Sequence, residues 1–171
     1  MTALLRLRRK LCRELAQSEL DARLHTRREA RRLGEVVPAL ALRAIAAHAD
    51  ALQPRFAMLV RRDQPFGFAV GRAVARMFSG VRHVLLDRII DREHSYRATL
   101  LGLYHGVDTA RLLREVCVRA GDVYLARFCD ELVGEREVLL EQAQHALAWF
   151  ADAPKLALRW GARDALAPSK S

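Results

Sequence analysis

A chain of 171 residues is long enough to bury a core of its own and short enough to form a single domain. It is 51% hydrophobic but only 6% aromatic, so that core is expected to be built from Leu, Ala and Val. No run approaches about 18 uncharged apolar residues, which excludes a membrane-spanning helix, and the basic opening MTALLRLRRKLCRELAQ lacks the continuous apolar segment of a secretory signal.

The net charge of +9 sits at the two ends. Residues 1–32 carry ten Lys/Arg against four acids, residues 155–171 carry four against one, and the body between them is neutral. Basic extremities on a neutral body suit a solvated face or a contact with nucleic acid, an anionic membrane or an acidic partner. No zinc finger, recognition helix or aromatic-interleaved basic strand accompanies them. Cys12, Cys117 and Cys129 are odd in number and lack C-x-x-C spacing, so they read as reduced thiols of a cytoplasmic protein.

In chain order, helical periodicity dominates and period-two strands are absent. The first predicted helix covers 3–32, with Gly34 as its C-terminal cap and Pro38 opening the next. The second covers about 37–61 and is expected to kink at Pro54. RRDQPFG breaks the chain, and FAVGRAVARMFSG then reads as a short crossover helix. A third long helix is predicted over 81–105, a short one capped by Asp108 or Thr109 over 109–119, and a fourth long helix over 122–151. The bundle domain is therefore 1–154, followed by a basic, flexible tail over 155–171. The fold class is all-α, a four-helix bundle with a crossover between its second and third helices.

Advancing 100° per residue shows which polar groups face inward. Glu19 and Glu29 share the side of Leu11, Leu15 and Ala22, with His25 at its edge. His48 lies on the margin of the Leu42–Ile45–Ala49–Leu52–Phe56 stripe, and Glu93 lies close to the stripe of Tyr96, Leu100, Leu103 and Val107. On the fourth helix Arg136 falls inside the Leu125–Phe128–Leu132 stripe, with Glu135 at its edge. A buried carboxylate costs several kcal/mol unless paired or metal-bound. Asp91 and His94, the acid-x-x-His pair of DREHSYR, project outward and fail as a half-site.

The stretches AIAAHADAL, FGFAVGRAVARMFSG, DREHSYRATL and FCDELVGERE, spread over about residues 30–150, resemble the ferritin-like superfamily. More faintly they resemble its di-iron ubiquinone-biosynthesis hydroxylases and small bacterial ferritin-like proteins of unassigned role. The resemblance implies metal ligands at Glu29 (or Glu19), His48, Glu93 and Glu135. It departs from the pattern where Glu-x-x-His is required: the second helix reads Ile45-x-x-His48 and the fourth Glu135-x-x-Val138. Those gaps favour a metal-free polar core in which Arg82, Arg97 or Arg136 pairs with Glu93 and Glu135. The expected function is a non-catalytic or vestigial member of the superfamily, with no cofactor, acting as an oligomeric or adaptor bundle. The alternatives are an iron protein, di-iron or mononuclear, with a relaxed ligand set, and an electrostatic binding module. Leu20 and Leu24 share an outer face of the first helix and point to a homodimer.

Overall fold

The structure, a computed structural model, describes residues 2–61 and 91–158. The described chain is helical: α1 (Ala3–Leu33), α2 (Val37–Arg61), α3 (Arg92–Arg119), α4 (Val123–His145), and two short elements, α5 (Ala148–Asp152) and α6 (Pro154–Ala157). The expected crossover helix, Arg82, the start of the helix predicted over 81–105 and the tail from residue 159 on lie outside the described residues. No described helix is long and apolar enough to cross a membrane.

Three of the four long helices start on a side-chain cap. Thr2 accepts the N–H of Leu5 at the start of α1, and Gly34 ends it at φ 87°, donating to the Ala30 carbonyl at 3.1 Å. Asp91 caps α3 by accepting the His94 backbone N–H at 2.8 Å. The acid-x-x-His spacing at this point is thus a helix cap. Asp122 caps α4 and is also bonded by Arg8 of α1, tying two helix starts together.

The predicted break at 105–109 does not occur, and α3 runs unbroken through both segments. Thr109 donates its hydroxyl back to the His105 carbonyl at 2.9 Å instead of capping a new helix. Buried Gly106 explains why the low helix propensity is overridden: a Cβ there would lie 2.2 Å from Ser18 Oγ, so its absence lets α1 and α3 approach closely. Conversely, the predicted fourth helix stops at His145, and Ala148–Asp152 form a separate turn. Packing continues past residue 154, because Ala157 of α6 is buried.

α1 packs on α2 and α3, and α4 packs on α3 and α2. Residues 18, 25 and 29 of α1 meet 106, 99 and 95 of α3, so those helices are antiparallel. Residues 48 and 56 of α2 meet 135 and 128 of α4, again antiparallel. Residue 27 of α1 and its cap at 34 meet 50 and 43 of α2, so α1 is antiparallel to both α2 and α3. α2 and α3 therefore run the same way, and the end of α2 lies at the opposite pole of the bundle from the start of α3.

The core forms two apolar clusters. One joins Leu11, Leu15, Phe56, Leu113, Phe128 and Leu132, where Phe56 and Phe128 stack at 5.2 Å. The other joins Ala22, Leu42, Ile45, Tyr96, Leu103 and Leu140, where the Tyr96 hydroxyl donates to the Ala143 carbonyl at 2.8 Å. Between them, at mid-bundle, lies a polar layer.

Candidate functional site

That layer is drawn from three helices. Glu19 of α1 falls between Leu15 and Ala22, and Arg136 of α4 falls between Leu132 and Leu140, at the junction of the two clusters. Both side chains are buried, at 7% and 2% exposure. Arg136 Nη2 donates to Glu19 Oε2 at 2.7 Å, and its Nε donates to His48 Nδ1 of α2 at 3.1 Å. His48 Nε2 in turn lies 2.9 Å from Glu135 Oε2.

These contacts assign the His48 proton. A guanidinium N–H only donates, so Nδ1 must accept. The imidazole is therefore neutral with its hydrogen on Nε2, which donates to Glu135. Both ring nitrogens are engaged, and one Glu19 oxygen is held by the guanidinium. The chain Glu19–Arg136–His48–Glu135 runs from the buried interior to the seam between α2 and α4, where the Glu135 side chain is 61% exposed. Adjacent on that seam, Arg55 bonds Glu131 and lies over the Phe128 ring at 5.5 Å. The hydrogen bonds from Arg55 and then Arg127 hold the Glu131 carboxyl below its usual range.

A second polar group lies nearer the start of α3. Glu29, 2% exposed, accepts from Arg32 Nη2 at 2.8 Å and Nε at 3.1 Å, a forked pair one turn apart on α1. Ser95 of α3 adds a hydroxyl donor at 3.0 Å. Thr99 donates its only proton to the Ser95 carbonyl, so it accepts from His25 Nε2 at 3.1 Å.

Of the four residues expected to converge, His48 and Glu135 do meet, but Glu29 is bound in this second group. Glu93 stands on the surface against Arg97, one turn along α3. The expected pairing is corrected in one respect: Arg136 reaches across to Glu19, not to its neighbour Glu135. Glu135 projects along the outer seam because consecutive residues diverge by 100°, so only one of the two can point inward. Among the described residues, no group of three or more His, Cys, Asp and Glu is arranged to hold a metal ion.

Helical projection places Glu19 and Arg136 inside but does not join them. It does not pick out Ser95 and Thr99, whose hydroxyls carry too weak a signal on a helix. Cys129 offers no nucleophile: burial, the main cause, pushes its thiol far above the ordinary range, and Cys117 and Cys12 nearby add to the effect. Comparison with protein-family models, with curated proteins and with solved structures finds no match for this chain.

Proposed function

We propose that the protein is a ferritin-like bundle acting as a non-catalytic oligomeric scaffold, in which a structural arginine takes the place of a metal centre. One observation carries this reading. The guanidinium of Arg136 lies between Glu19 and His48, donating to both, so the carboxylate and imidazole that a metal would need are turned toward a cation the chain itself supplies. The donors do not fit a metal ion without expelling Arg136 from a site where it is 2% exposed. The ferritin-like part of the reading is supported by the antiparallel pairs α1–α3 and α2–α4, with α2 and α3 parallel and joined by a long connection.

Elemental analysis of Fe, Mn and Zn tests the reading directly on protein purified after growth with added iron. The expected result is far less than one metal per chain, unchanged by His48→Ala. Two metals per chain, lost with Glu19→Ala or His48→Ala, would overturn the scaffold reading in favour of a di-iron oxidoreductase.

A further inference from the structure

We infer that the outer face of α2 is a self-complementary interface on which a second copy of this chain docks antiparallel, with the two-fold axis at Ala47. The inference rests on the scaffold reading above and specifies the partner and the surface.

The face begins at Val37 and Leu40 and continues through Ala44, Ala47 and Ala51. Pro54 and Met58 complete it, so the spacing alternates strictly between three and four residues. That is the repeat of a helix seam packing along another helix. These positions lie opposite the Leu42–Ile45–Leu52 stripe, and Val37, Leu40 and Met58 are more than half exposed. A lone helix in contact with water has no reason to keep an apolar residue at every one of seven such positions.

Three features point to a second copy as the occupant. First, sizes match in the antiparallel register. With Ala47 on the axis, Ala44 meets the partner's Ala51, Leu40 meets the partner's Pro54, and Val37 meets the partner's Met58. Alanines at the centre allow the axes to close to about 8 Å, and larger groups fill the two ends. Second, an open recess lined by Gln53, Pro54, Ala57 and Met58 lies where the partner's Leu40 and Val37 arrive. Third, the flanking charges complement each other. Arg43 comes opposite the partner's Asp50 on each side of the axis, extending the existing Glu35–Arg43 and Arg27–Asp50 pairs into a string of alternating sign. The same patch on both copies satisfies the symmetry that a two-fold dimer requires. Leu20 and Leu24 on α1 offer a smaller alternative face: Leu24 is exposed, but Leu20 is half-buried.

The full chain is examined by light scattering and sedimentation equilibrium, alongside Ala47→Glu. The expected wild-type species is a dimer, and Ala47→Glu is expected to weaken it at least about a hundredfold by setting two carboxylates face to face. Its helical circular dichroism is expected to be unchanged, because Ala47 is exposed. Orientation is read from disulfide trapping over the wild-type background, the native cysteines being buried. An oxidised mixture of Ala44→Cys and Ala51→Cys proteins is expected to cross-link at least about tenfold more than either alone, because the antiparallel register brings those positions together. A wild-type monomer at high micromolar concentration overturns both this inference and the scaffold reading. A dimer untouched by Ala47→Glu overturns the inference alone and shifts the interface to another face. Efficient cross-linking of Ala44→Cys by itself overturns the antiparallel register.

Discussion

Two buried glutamates on the same helix, Glu19 and Glu29, solve the same problem in different ways. Glu29 is met by Arg32 from its own helix, and Ser95 donates to it from α3. Glu19 is met by Arg136, which is 117 residues away and reaches it only when α1 and α4 face each other at mid-bundle. The first pair is available whenever α1 is helical, since residues three apart are neighbours on its surface. The second exists only in the assembled bundle, in one register. A mispaired register would leave both charges buried without partners, so the central layer is expected to discriminate among packings more than it adds stability.

Removing Arg136 breaks this contrast most severely. Arg136→Met leaves Glu19 charged and unpaired between two apolar clusters and is expected to cost about 3–5 kcal/mol in urea titrations. Glu19→Leu combined with Arg136→Met removes both charges, so it is expected to lose far less than the sum of the single changes. Equal losses from single and double variants would mean that water reaches the layer.

At the second site the expected loss is smaller. Glu29→Gln keeps the shape and the Ser95 bond but forfeits the forked ion pair, for roughly 1–3 kcal/mol. Arg32 is 14% exposed and can turn toward solvent when its carboxylate is gone. A loss as large as that of Arg136→Met would erase the distinction between the two sites.

The two core clusters differ under alkali. Burial raises the Cys129 thiol in one cluster and the Tyr96 hydroxyl in the other. A raised acid favours the neutral form in the folded state, so its stabilisation is complete below the unfolded value and declines as pH rises beyond it. Stability is therefore expected to fall first above about pH 8.5, through Cys129, and again above about pH 10, through Tyr96, by up to about 1.4 kcal/mol per pH unit and group. Cys129→Ala is expected to lessen the first decline and keep the second. Hydrogen exchange near Leu132 and near Leu103 reports the two ends separately.

The smallest effect is expected at the surface. Glu93 and Arg97 form an ion pair with side chains 31% and 57% exposed. Glu93→Ala is expected to cost less than about 1 kcal/mol, and moderate salt is expected to erase even that difference. A cost like that of Arg136→Met would place Glu93 in the core after all.

Periodicity alone determined much of the architecture. The limits of α1 and α2, the Gly34 cap, the inward stripes and the burial of Glu19, Glu29 and Arg136 all follow from a rotation of 100° per residue. The outer seam of α2 is equally legible once apolar residues are counted on the face away from the core. Tertiary structure alone decided that α3 continues through Gly106, because the close contact with Ser18 on α1 outweighs a weak local propensity. It also decided which charges meet. Projection gives each side chain a direction around its own helix, but neither the neighbour it faces nor the height at which that neighbour is set. Arg136 could therefore be placed inside from the sequence, whereas its pairing with Glu19 required the packed register of α1 against α4.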